Sequence, residues 1–208
     1  MTKKQVGEDT PGRLTRTAVI DAALGLLDER GLDGLSGRAV ADRLGVRMNT
    51  VLWHVKTRAR MLELMADAVL SGIDYDGLPG APLERAAELA GRYRRALLSH
   101  RDGAALVTRT YSAEPHTLRY ADCLVEALLD AGADERRAAW TAWTVTYFVL
   151  GLTQEEQAAP EKSDDRLARA VDTTGHPALR RVLPHLTPEN FDQRFAFGLR
   201  SVLSGLLV

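Results

Sequence analysis

Residues 35–56 run LSGRAVADRLGVRMNTVLWHVK, two short helical patterns broken at Gly45. Ser36 stands where an N-cap is needed, and Ala39, Val40 and Leu44 recur on one face of the first helix. Gly45 supplies the backbone freedom of a tight turn, and Val46 is an apolar plug beside it. Arg47, Met48, Asn49 and Thr50 open the second helix. This is a helix-turn-helix pattern, in which the start of the second helix faces the base edges of DNA. Trp53 and His54 close that helix, and Lys56, Arg58 and Arg60 follow as phosphate-seeking cations.

Two packed helices with a glycine turn are the plainer reading of that segment alone. Its flanks complete a module. Residues 13–30 carry Val19, Ile20, Ala23, Leu24 and Leu27 at i, i+3, i+4 spacing and end at Gly31. A three-helix unit is therefore expected from about Leu14 to Trp53, with Thr57 capping a fourth helix through Met61, Leu62, Leu64, Met65, Ala68 and Val69.

The net charge of −1 conceals an asymmetry. Residues 1–60 hold 11 Lys+Arg and 7 Asp+Glu, a balance of +4, which leaves 16 and 21, or −5, for the other 148 of the 208 residues. The basic end suits a phosphate backbone and the acidic end does not. With 45% hydrophobic residues the chain can bury a sizeable core. It shows neither an apolar run of bilayer length nor a signal segment, so a cytoplasmic protein without membrane contact is expected. The one cysteine, Cys123, reads as a small buried apolar side chain.

Residues 1–12 lack periodicity and read as a flexible tail, although Lys3 and Lys4 could touch DNA. A breaker cluster, DGLPGAP at residues 76–82, separates a head at 13–75 from a body at 82–208. Helical patterns then resume at 83–100, 114–131, 134–154 and 191–207, with a short turn after Asp102. Thr187-Pro188-Glu189-Asn190 reads as the start signal of the last helix. The segment 158–176 reads as a charged loop with at most a short helix at 165–172. No strand alternation appears, so the fold class is all-α: an N-terminal helix-turn-helix domain and a C-terminal helical bundle.

At these residues the chain resembles the tetracycline-repressor family, whose N-terminal domain combines L-[ST]-x-R-x-[LV]-A-x-x-L-G-V with a helix ending in W-H-V-K. The likeness extends to YRRALLSHRDGA at 93–104, FVLGLTQEEQ at 148–157 and FAFGLRSVLSGLL at 195–207. The resemblance implies a phosphate-contacting hydroxyl at Ser36 and a base-contacting guanidinium at Arg38. Arginine is the side chain that forks onto guanine O6 and N7, while a solvated helix face is the alternative for Arg38. Met48, Asn49 and Leu52 fall at the family's specificity positions, where Asn49 would suit adenine and the apolar pair thymine methyls. Arg47 belongs to the same DNA-facing set. Thr50, Trp53, His54, Lys56 and Arg58 match phosphate-gripping positions, although Trp53 and His54 also fit a purely structural role.

In the body, the resemblance places Val107 where the family's metal-chelated drug site has a histidine, and Glu155 where it has a glutamate. Leu89, Leu124 and Ile73 replace other polar drug contacts. No metal or cofactor is therefore expected. The remaining set, Leu89, Tyr93, Leu106, Val107, Tyr111, Leu124, Leu128, Trp140, Trp143, Thr144 and Tyr147, suits a small apolar or aromatic effector, with core packing as the other reading of any one residue. The family pairs its long body helix and its last helix between copies, and Phe195, Leu199, Val202, Leu203 and Leu206 form an apolar stripe expected to join a homodimer. His100, Asp102, His116, His176 and His185 show no metal or triad spacing, and no phosphate loop or nucleophile elbow is present, so no catalysis is expected. The implied protein is a dimeric repressor released from a palindromic double-stranded operator by a small molecule. An activator, an effector-independent regulator and an interaction protein without DNA binding are the alternatives.

Overall fold

The computed structural model describes residues 14–110, 113–159, 166–172, 174–186 and 190–205. The expected tail at 1–12, Lys3 and Lys4, the start signal at 187–189, Tyr111 and Leu206 lie outside them. Among the described residues every regular element is helical.

The head consists of α1 (Arg16–Arg30), α2 (Gly37–Leu44) and α3 (Met48–Val55), followed by α4 (Arg58–Leu70). Each entry into α1, α2 and α4 is capped by a hydroxyl: Thr15, Ser36 and Thr57 accept from the amides of Ala18, Ala39 and Arg60 at 3.0–3.1 Å. Gly45 ends α2 in the left-handed region at φ 64°, which turns the chain sharply into α3. Val19, Ala23, Leu27, Val40, Val51, Val55, Met61 and Met65 close the core beneath that turn. These positions are one apolar face of each helix, and their burial drives the packing of helices too short to stand alone.

α4 packs on α1 and equally on the body, against α5 (Pro82–Leu98), α6 (Gly103–Thr108) and α7 (Pro115–Asp130). Arg60 at its start pairs with Glu63 and with Glu114, the residue before α7. That commitment removes Arg60 from the phosphate-seeking cations expected of the sequence. The body is completed by the long α8 (Glu135–Ala158), short α9 (Arg166–Ala170) and α10 (Pro177–Val182), a 3-10 turn at Leu183–His185, and α11 (Phe191–Ser204). α5, α6 and α7 all pack on α8 from one side, and α11 packs on α8 as well. Asn190 precedes α11 without a side-chain cap.

The short turn expected after Asp102 is the start of α6. Asp102 is left-handed at φ 55°, and Gly103 follows because a Cβ there would lie 2.2 Å from the Leu97 carbonyl oxygen. Gly103 is thus a steric requirement of folding α6 back on α5.

Candidate nucleic-acid interface and body interior

α3 divides cleanly. Val51 and Val55 are buried, while Arg47, Met48, Asn49 and Trp53 are exposed and Thr50, Leu52 and His54 are half-buried. Ser36 and Arg38, at the start of α2, are exposed beside them, as are Lys56 and Arg58 beyond the C-terminus of α3. Trp53 is 62% exposed, a costly placement for an indole. Lys56, held at φ 67°, sets its ammonium 5.7 Å from the centre of that ring, and His54 meets it edge-on at 4.7 Å. The His54 carbonyl accepts from Arg16, which ties the end of α3 to α1. The arrangement presents a forked cation, an amide and apolar side chains from two helix starts, flanked by hydroxyls and cations, as groove reading with phosphate contacts requires.

The head meets the body at the turn between α5 and α6. Asp28 on α1 accepts from the amide of Arg101 at 3.0 Å and faces His100 Nδ1 at 3.0 Å. Asp102 accepts from the amide of Leu32 at 2.8 Å. Gln157, near the end of α8, donates to the carbonyls of Leu97 and His100 and accepts from the Ala104 amide. Sequence reasoning left these residues without a role, since their partners lie more than 50 positions away.

In the body, Leu89 and Tyr93 on α5, Leu106 on α6, and Leu124 and Leu128 on α7 converge with exposures of 0–2%, and Val107 is half-buried at the edge. Tyr120, missed by sequence reasoning, joins them: its ring stacks on Tyr93 with centroids 4.4 Å apart at 12°. Burial pushes both the Tyr93 and the Tyr120 phenol well up, the fields of Tyr93 and Tyr75 adding to the effect at Tyr120 and the Thr146 side chain opposing it. Both stay protonated, neutral and able to donate.

The model of the tetracyclin repressor-like C-terminal domain matches residues 79–208. The class D tetracycline repressor protein of Escherichia coli is 35% identical over 201 residues, covering 94% of this chain and 90% of that protein. The chain belongs to the tetracycline-repressor family. Its members are DNA-binding transcriptional regulators. Among solved structures, Streptomyces coelicolor ActR in complex with (S)-DNPA has a TM-score of 0.84 at 27% identity, covering 94% of this chain and 98% of that one. BioQ bound to its natural double-stranded DNA operator has a TM-score of 0.71 at 28% identity, covering 93% and 98%.

Within the family's framework, several residues expected to line the effector site stand elsewhere. Trp140, Trp143, Thr144 and Tyr147 lie on the outer face of α8, where Trp140, Trp143 and Tyr147 are 62%, 47% and 63% exposed. The inner face is formed by Ala138, Ala142, Val145, Val149, Leu152 and Thr153. Helical periodicity found the aromatic stripe but not the side it faces. The Thr144 hydroxyl is taken by the Trp140 carbonyl on its own helix.

Nor does the stripe expected to join a dimer lie open. Leu199 and Leu203 are buried in the protomer, Val202 is half-buried, and Phe195 stacks on Phe148 of α8 at 6.2 Å. Among the described residues of α11, the large apolar side chain left exposed is Phe197, at 67%. The family's chelated metal does not fit this body: Val107 offers no donor, and the Glu155 carboxylate is paired with Arg194 at the surface. Among the described residues no cluster of three His, Cys, Asp or Glu is placed to hold a metal ion, and no helix is long and apolar enough to cross a membrane.

Proposed function

We propose that this chain is a homodimeric repressor that a small, metal-free aromatic effector releases from a palindromic operator. The observation that carries the reading is the exposed constellation of Arg38, Met48, Asn49, Trp53 and Lys56 on α2 and α3, directly coupled through α1 and α4 to a body with an apolar, tyrosine-lined interior. A regulator needs those two sites and a rigid element between them. α4 is that element, because it packs on α1 and on α5, α6 and α7.

The dimer face is assigned to the outer side of α8 and to Phe197. Trp143 and Tyr147 stack there with centroids 5.4 Å apart, and Arg136 lies over Trp140 at 4.7 Å. Large exposed aromatics clustered on one face mark an association surface, and a two-fold axis through it places two heads on one duplex. An effector wedged between α5 and α7 displaces α4 and so changes the distance between the heads. It shifts the equilibrium only by its preference for the displaced state.

Sequencing the DNA that the purified protein selects, then screening compounds for its release, tests the reading. A palindromic selected site and release by a metal-independent aromatic compound are expected. Selection without any symmetric site, or release only with a chelated divalent cation, would overturn it. Tight, sequence-specific binding that no member of a broad aromatic panel reverses would favour an effector-independent regulator.

A further inference from the structure

The start of α7 is capped from another helix. Pro115 and His116 open α7, Thr117 is its third residue, and the Leu118 amide already bonds the Glu114 carbonyl at 2.9 Å. The Thr117 amide is therefore one of the orphan donors that an N-cap side chain normally serves. Glu114 holds the N-cap position, yet its side chain makes no cap bond. Asp67 of α4 takes its place: its buried carboxyl group accepts from the Thr117 amide at 2.8 Å and from the Thr117 hydroxyl at 2.9 Å. Glu114 reaches the other way, to Arg60 in the first turn of α4, at 2.6 Å. The two helices thus exchange partners at two points.

Arg60 and Asp67 stand two helical turns apart on α4, about 10 Å along its axis. A single tie would let the helix pivot, whereas two ties at that separation fix both its tilt and its register against α7. A third follows past the end of α4, where the Arg119 guanidinium of α7 covers the Tyr75 ring at 4.0 Å. α3 follows the tilt of α4, because only Lys56 and Thr57 separate the two helices and Val55 and Met61 share one core. The DNA-facing helix is therefore aimed through the start of α7.

We infer that Asp67 is a positioning residue for operator reading: its hold on Thr117, with that of Arg60 on Glu114, fixes the angle at which each head leaves the body and so the half-site spacing that the dimer accepts. The inference rests on the homodimeric reading above. It assigns a part of operator specificity to a residue buried between α4 and α7, away from the exposed face of α3.

The test uses the full-length protein, the palindrome it selects, and two versions of that DNA with one base pair added or removed at the centre. A fall in fold stability weakens binding to all three duplexes alike, whereas a loosened head lowers the preference for the native spacing. Asp67→Ala should reduce that preference about fivefold, the scale of one net hydrogen bond lost, with the base preference inside each half-site unchanged. Thr117→Val loses the hydroxyl and keeps the amide tie, so it should reduce the preference less, and Thr117→Ser should match the wild type. The Thr117 pair decides the matter if Asp67→Ala does not fold. Equal losses on all three duplexes, or a spacing preference that survives intact in Thr117→Val, would overturn the inference and leave the homodimeric reading standing. A wild type that selects no symmetric site would overturn both.

Discussion

Arg38 and Lys56 are both exposed cations of the head, yet they should behave differently on DNA. Arg38 extends from the first turn of α2 and is expected to fork onto a guanine, so Arg38→Ala should cost about 1–3 kcal/mol and relax the preference at one base pair of each half-site. Lys56 lies beyond the last turn of α3, so Lys56→Ala should weaken binding to all sequences alike and reduce the slope of log K against log salt. Site selection on the two variants separates the roles: an unchanged logo for Arg38→Ala would leave that side chain merely solvated. A third residue tests the fold itself. Gly103→Ala places a methyl against the Leu97 carbonyl and should destabilise the protein by about 1–3 kcal/mol in urea, with the turn between α5 and α6 opened. Most of the head could be read at this scale, because caps, turn glycine and exposed α3 positions are all local signals. Arg60 could not, since Glu114 lies 54 positions away in sequence and only packing brings them together.

Among the elements, α8 and α11 show where periodicity stops informing. Both helices carry apolar residues around much of their circumference, so a stripe in the sequence does not say whether it meets its own protomer or a second copy. In α11 the stripe of Leu199 and Leu203 faces α8, and Phe197 is left outside; in α8 the small inner residues face the body and the large aromatics face out. Two substitutions distinguish the faces. Leu203→Glu would bury an unpaired carboxylate inside the protomer and cost roughly 3 kcal/mol or more, so the melting temperature should fall sharply. Trp143→Glu should leave the protomer folded and weaken the dimer about thirtyfold or more, the effect of losing an aromatic hot spot, with operator affinity falling alongside it. Sedimentation and thermal melting on both variants check the assignment. A Trp143→Glu protein that remains dimeric at micromolar concentration would move the interface off this face.

Across the whole molecule, order depends on a few long-range ties that no local pattern announces. Arg94, nearly buried on α5, forks onto Glu156 of α8 at 2.8 and 3.0 Å, reaches Asp192 of α11 at 2.6 Å and lies over Phe195 at 5.1 Å, so one side chain fixes three body helices. At the other end, Asp28, Asp102 and Gln157 hold α1, the α5–α6 turn and the end of α8 together. Asp102 is the centre of this joint, because its carboxylate satisfies the Leu32 amide just past α1 while its own left-handed backbone launches α6. Replacing it by Ala leaves that amide without its partner and puts a methyl-bearing residue at positive φ with no local hydrogen bond to offset it. The combined loss should be about 2–4 kcal/mol. Asp102→Asn keeps the acceptor oxygen and tolerates the backbone, so it should retain most of the stability. If the joint carries the signal, Asp102→Ala should also need more effector for half-release than Asp102→Asn at equal operator occupancy. Release curves for the two variants, taken below the melting transition of the weaker one, decide it: coincident curves would mean that α4 alone transmits the change and that Asp102 serves only to hold the turn.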